Sequence, residues 1–262
     1  MTAPDPIVDA LRAAGCVFAE QEAALLREAA VDEPHLRRLT GQRVAGLPLE
    51  YVVGWAGFRG LRVAVGPGVF VPRRRTEAMV DVAVARCRGS DKLVVVDLCC
   101  GSGALGLGLV TELGRLRRPP VIELHAADLT AEAARWARLN LAGRGQVHVG
   151  DLYAALPTRL RGRIDVLLAN TPYVPTGEVA LLPPEAREHE PRIALDGGSD
   201  GLTLARRVLE DAPDWLARDG SVHIEVAGGQ VEALASYAET RGLEVAVADS
   251  VLTATRPRSS RR

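Results

Sequence analysis

Residues 93–98 form a continuous apolar run that leads directly into Asp97-Leu98-Cys99-Cys100-Gly101-Ser102-Gly103 and then into an apolar helical stretch at 104–113. A strand apolar on both faces must be covered on both faces, which is the condition of a parallel sheet sandwiched between helices. The rhythm then repeats. Strands are readable at 121–127, 147–149, 164–169 and 221–226, with helical stretches at 131–142, 202–216 and 231–241. Alternation of this kind predicts an α/β fold with a doubly wound, Rossmann-like, mostly parallel sheet. Residues 244–256 read as two short strands that supply an antiparallel edge. An aromatic content of only 4%, against abundant Ala, Val and Leu, suits this arrangement better than a base-stacking nucleic-acid module.

The chain before the sheet has a different texture. From 5 to 44, apolar residues recur at three- and four-residue steps among charges, as in short packed helices. Residues 54–65 read as a β-hairpin turning at Arg59-Gly60. Gly66-Pro67-Gly68 then breaks the chain, and Val-Phe-Val-Pro-Arg-Arg-Arg-Thr-Glu at 69–77 leads into a helix at 78–86 with Thr76 as its N-cap. The expected division is a helical N-terminal substrate-recognition domain at 1–50, a linker β-hairpin at 51–76 and the sheet domain at 77–262. The basic tail at 257–262 is expected to fray. Cys16, Cys87, Cys99 and Cys100 have no paired metal spacing and read as reduced thiols. The five histidines likewise lack ligand spacing, so no metal is expected. With no signal-like start and no membrane-length apolar run, the expected location is the cytoplasm.

In a doubly wound sheet the ligand lies outside the carboxyl ends of the strands, where bare backbone must come close to it. The turn from Asp97 through Cys99, Gly101 and Gly103 is placed for that purpose. Asp128 ends the second strand, where a carboxylate can accept from ribose hydroxyls. Asp151 follows the third and could accept from an adenine amine while Leu152 packs on the ring. A nicotinamide dinucleotide competes for such a site, but the turn lacks the third glycine at the dinucleotide spacing.

The fourth strand ends in Asn170-Thr171-Pro172-Tyr173. An amide nitrogen is a poor nucleophile because its lone pair is delocalised. The Asn170 side-chain carbonyl can accept one of its hydrogens and the Thr171 backbone carbonyl the other, while Pro172 fixes the turn and Tyr173 stacks on the flat group. The combination favours a methyl donor over a dinucleotide, with a planar amide or amino nitrogen as acceptor.

These residues resemble the release-factor glutamine methyltransferases, the PrmC/HemK family, and in particular actinobacterial protein N5-glutamine methyltransferases. Gly46-Leu47-Pro48-Leu49-Glu50-Tyr51 with Gly54 and Phe58 is similar to the family's linker hairpin, and Pro72-Arg73 with Thr76-Glu77 to its Pro-Arg-x-x-Thr-Glu signature. Asn170 to Tyr173 is similar to Asn-Pro-Pro-Tyr, with Thr171 where the family has proline; Cys99 stands where its turn has glycine. Glu190-Pro191-Arg192-Ile193-Ala194-Leu195 and Glu225 also fit.

The resemblance implies a class I methyltransferase fold and S-adenosylmethionine as cofactor, held by Asp97, Cys99, Gly101, Gly103, Asp128, Asp151, Leu152 and Asn170. It implies transfer to the side-chain amide of a protein glutamine, such as one on a translation release factor, with Asn170, Thr171, Pro172 and Tyr173 catalytic. Nucleic acid is expected only through a bound partner; a near-neutral net charge of −1 gives no global pull towards it. An adenine amino-methyltransferase and a non-catalytic cofactor-binding partner protein remain open alternatives, as does the oligomeric state. The chain's own Gly228-Gly229-Gln230, the tripeptide that release factors present for methylation, reads as coincidence at a helix start.

Overall fold

The computed structural model describes residues 5–87 and 89–257. Four helices come first: α1 (Pro6–Ala13), α2 (Ala19–Ala29), α3 (Glu33–Val44) and α4 (Leu49–Val53). Asp5 accepts from the Ile7 and Val8 amides and Asp32 from that of His35, so two of these short helices start on carboxylate caps. Leu11, Ala23, Leu26, Leu39 and Val52 close a small core of their own. Arg43 and Glu22, both buried, pair beside it with Nε to Oε2 at 2.6 Å.

The hairpin of β1 (Trp55–Phe58) and β2 (Leu61–Ala64) turns at Arg59-Gly60, both at positive φ as a type I′ turn requires. Two four-residue strands cannot stand alone in water. Here Phe58 and Val63 are fully buried in the same core as Met79, Val80 and Leu105 of the sheet domain. Asn140 ties the hairpin down as well. Its Oδ1 accepts from the Ala64 amide at 2.8 Å, and its Nδ2 donates to the carbonyls of Ala64 and Ser102, each at 2.9 Å.

A 3-10 turn at Arg74–Thr76 enters α5 (Glu77–Cys87). Thr76 is therefore already helical rather than an N-cap, and its buried Oγ1 has no partner among the described residues. The sheet domain continues with β3 (Lys92–Leu98), α6 (Ala104–Gly114), β4 (Val121–Asp128), α7 (Ala131–Asn140), β5 (Gln146–Val149) and β6 (Ile164–Ala169). It ends with α8 (Pro184–His189), α9 (Thr203–Trp215), β7 (Leu216–Glu225), α10 (Val231–Thr240), β8 (Glu244–Ala248) and β9 (Val251–Thr255). The strand order is β5-β4-β3-β6-β7-β9-β8, with the first five parallel and β9 antiparallel to both β7 and β8.

Alternation along β3 shows why both faces are apolar. Leu93 and Val95 pack under α5, α6 and α7, whereas Val94, Val96 and Leu98 pack under α9 and α10. The chain winds from β3 out to β5, then crosses back to β6 on the other side of β3, which opens a cleft at the carboxyl ends of those two strands. No helix among the described residues is long and apolar enough to cross a membrane. Of the tail at 257–262, residues 258–262 lie outside the described residues.

Candidate active site

The glycine turn sits at that cleft. Cys99, Gly101 and Gly103 all take positive φ, at 53°, 53° and 77°. At Gly103 a side chain would also be crowded, since a Cβ would stand 3.1 Å from the Leu141 side chain and 3.4 Å from the Ala137 backbone. At Cys99 the chain accepts a left-handed cysteine, a conformation that costs on the order of 1 kcal/mol. Beneath the turn, Asp97 is fully buried. Its Oδ2 accepts from the Gly106 amide at 2.9 Å and its Oδ1 has no partner among the described residues. Burial pushes its carboxyl up to about 7, against the lowering effect of the Gly106 N–H.

A cavity of about 130 Å3 opens above the turn, walled by Cys99 and Gly101, by Asp128 at the end of β4, and by Asn170 to Tyr173 after β6. The Asp128 carboxylate is partly engaged. Oδ2 accepts from the Gly101 amide at 2.9 Å, and Oδ1 from the Thr130 amide and hydroxyl at 3.0 and 3.2 Å. Of its roughly four acceptor positions one stays open, since the Thr130 hydroxyl can donate to Asp128 while its oxygen accepts from the Ala133 amide. The residues thus fit a ribose held at one carboxylate. Asp151 and Leu152 are not brought to this cavity wall. Asp151 pairs with Arg207 at 2.7 Å, and Leu152, at φ 47°, is buried in the core under α9.

Asn170 and Thr171 follow β6 at the cavity wall, and both Asn170 Oδ1 and Thr171 Oγ1 are buried without a partner among the described residues. A buried acceptor left unpaired costs about 1–3 kcal/mol, so Asn170 Oδ1 is set up to receive an N–H from outside the chain. Phe70 and Tyr173 also line a second, adjoining cavity of about 550 Å3, whose other walls include Pro48 and Glu50 from the N-terminal helices and Glu185 from α8.

Two ion pairs frame the shared wall, and neither is legible in the sequence around the arginine run at 73–75. Arg73 Nη2 meets Glu190 Oε1 at 2.5 Å, and Arg75 Nε meets Glu225 Oε1 at 2.9 Å. Both carboxylates are buried, and burial pushes the Glu190 carboxyl up while Arg73 partly offsets it. Arg75 also lies 5.2 Å from the Tyr173 ring centroid. Arginines at alternate positions just before a helix were the available signal; their partners lie 117 and 150 residues away.

No protein-family model matches the chain. Among solved structures, it is similar to the T. thermophilus 16S rRNA N2 G1207 methyltransferase in complex with AdoMet and guanosine. The TM-score is 0.54 at 20% identity, covering 77% of this chain and 49% of that one, a likeness of fold. The fold is that of class I S-adenosylmethionine-dependent methyltransferases. Among curated proteins, it is 41% identical over 211 residues to the release factor glutamine methyltransferase of Streptomyces coelicolor, covering 78% of this chain and 72% of that protein. The Mycolicibacterium smegmatis protein of the same name is 37% identical, covering 74% and 69%. At that identity and over that span, the chain belongs to the release factor glutamine methyltransferase family.

Proposed function

We propose that the chain methylates the side-chain amide nitrogen of a glutamine presented on a loop of a translation release factor, with S-adenosylmethionine as methyl donor. The observation that carries this reading is the buried, unpartnered Asn170 Oδ1 at the wall of the cofactor cavity. When bound, S-adenosylmethionine supplies a methyl group on a sulfonium, which leaves as a neutral thioether and needs no acid.

What remains for the protein is to orient the amide and relieve the positive charge that grows on its nitrogen. Asn170 Oδ1 accepts one amide hydrogen and the Thr171 backbone carbonyl the other; once the nitrogen carries the methyl group, one of these protons is released to solvent. A backbone carbonyl does not depend on the side chain that accompanies it, so threonine in place of proline keeps the acceptor, and Pro172 still biases Thr171 to an extended backbone. Tyr173 packs on the flat face, steadied by the Arg75 guanidinium. Asp128 and the turn from Cys99 to Gly103 hold the adenosyl end. The second cavity, between the N-terminal helices and α8, is the space through which the partner's loop reaches Tyr173. In this reading, the residues through about Val53 recognise the partner and the hairpin joins them to the catalytic domain.

The test is transfer of labelled methyl by the wild type and by Asn170→Ala, offered purified release factors and, separately, DNA and RNA, with the modified residue mapped. Label on a release-factor glutamine that falls at least about 100-fold in the variant, with cofactor affinity within about threefold, is the expected result. Label on adenine, or an Asn170→Ala enzyme of undiminished turnover, would overturn it.

A further inference from the structure

The Gly228-Gly229-Gln230 tripeptide forms a 3-10 turn between β7 and α10, and the Gln230 side chain is fully committed there. Its Nε2 donates to the Tyr173 carbonyl at 2.8 Å and to the Asp200 carbonyl at 3.0 Å, while its Oε1 accepts from the Ala227 amide at 3.3 Å. Both amide hydrogens are used, so this glutamine is occupied as a structural donor and is not poised as an acceptor of methyl.

The two carbonyls it joins belong to segments zipped against each other. The Val174 amide donates to the Leu195 carbonyl at 3.1 Å, and the Gly197 amide to the Val174 carbonyl at 2.8 Å. The fit is close enough to exclude side chains. A Cβ on Gly197 would stand 2.5 Å from the Pro172 oxygen, and one on Gly201, at φ 75°, only 2.1 Å from the Tyr173 oxygen and 2.3 Å from Gln230 Nε2. The carbonyls that follow Asn170 and Thr171 are therefore held from behind by a glycine loop at 197–201, and Gln230 fastens that loop to the turn.

We infer that Gln230 is a positioning residue for methyl transfer, fixing the Asn170–Tyr173 turn through the Tyr173 carbonyl. The inference rests on the proposed acceptor role of that turn. It acts on the orientation of the Thr171 carbonyl and the Tyr173 ring, and leaves the adenosyl end of the site, built on β3 and β4, untouched. A displacement of about 1 Å in such a constellation costs as much as 100-fold in rate.

Two variants test it. Gln230→Met keeps the length and loses all three hydrogen bonds. Gln230→Glu keeps the acceptor and turns two donors into an oxygen that faces carbonyls, until protonation restores one donor. In Gln230→Met, kcat should fall about 10- to 100-fold, with the acceptor KM and the cofactor Kd within about threefold of wild type. Gln230→Glu, ionised at neutral pH and facing two carbonyls, should lose at least as much kcat as Gln230→Met.

Without any substrate, amide exchange across 170–176 and 195–201 should be at least about tenfold faster in Gln230→Met. Exchange at the wild-type rate, kcat within twofold, or parallel loss of cofactor binding and kcat would each overturn the inference. A wild type that labels no glutamine would instead overturn the proposed acceptor, and the exchange measurement would still decide whether Gln230 holds the turn.

Discussion

Removing the guanidinium of Arg43 should loosen the N-terminal helices far more than a surface ion pair would. Arg43 and Glu22 side chains are 8% and 12% exposed, and they meet through two contacts, Nε to Oε2 at 2.6 Å and Nη2 to Oε1 at 3.3 Å. Arg43 Nη1 adds a bond to the Leu47 carbonyl at 3.1 Å and a half-exposed contact to Glu185 at 2.6 Å. Arg43→Met leaves the Glu22 carboxylate buried with no cation, for which the cost is about 3–5 kcal/mol. The Glu185 contact, being open to water, adds at most about 1 kcal/mol.

Native-state hydrogen exchange reads this locally. Amides of α2 and α3 should exchange about two to four orders of magnitude faster, at about 1.4 kcal/mol per tenfold. The paired Glu22→Leu, Arg43→Met variant should recover most of the loss, because a well-packed apolar pair replaces a buried ion pair at little cost. Unchanged exchange in Arg43→Met would refute the reasoning. So would a double variant as loose as the single one, since the damage would then come from lost packing rather than from a stranded charge.

Asp97 and His223 should pull the pH dependence of stability in opposite directions. Asp97, raised to about 7, binds more protons folded than unfolded, so its contribution is lost as pH rises from about 4 to 7, on the order of 4 kcal/mol. His223, lowered by burial to about 3, stays neutral when folded, so its contribution is lost as pH falls below about 6.5. Wild-type stability should vary little between these limits, whereas Asp97→Asn should become steadily more stable from about pH 4 to 6.5, as urea titrations would show. Equal slopes for the two proteins would dismiss the Asp97 shift. Asp128→Ala removes the partner of the Gly101 and Thr130 amides together with the open acceptor position, and should raise the S-adenosylmethionine Kd about 10- to 100-fold by calorimetry. An unchanged Kd would move the ribose elsewhere.

What was legible in the sequence was whatever sits on contiguous residues. The β3 run, the glycine turn and Asn170 to Tyr173 each carry their meaning within a few positions, and each stands at the end of the strand from which it was read. The hairpin was equally local, because Arg59-Gly60 fixes the turn and hence the register.

Features that depend on distant partners stayed hidden. Nothing near Asp151 announces that Arg207, 56 residues on, will take its carboxylate, and Leu152 reads as ring-packing until the core under α9 claims it. Arg73 and Arg75 carry no local sign of their partners, because Glu190 follows α8 and Glu225 ends β7, 117 and 150 residues further on. The early start of β7 at Leu216, with a register shift against β6 between Ile164 and Val166, also has no sequence mark, since residues 217–220 look like an ordinary loop.

Asn140 spends one side-chain amide on two structures at once, the Ala64 backbone of the hairpin and the Ser102 carbonyl of the cofactor turn. Mechanically this is a rivet through two plates. Hairpin and turn cannot slide past one another unless the rivet shears, because either motion breaks the Asn140 hydrogen bonds to Ala64 or to Ser102. The cofactor end of the cleft is thus stiffened by the same joint that seats the linker.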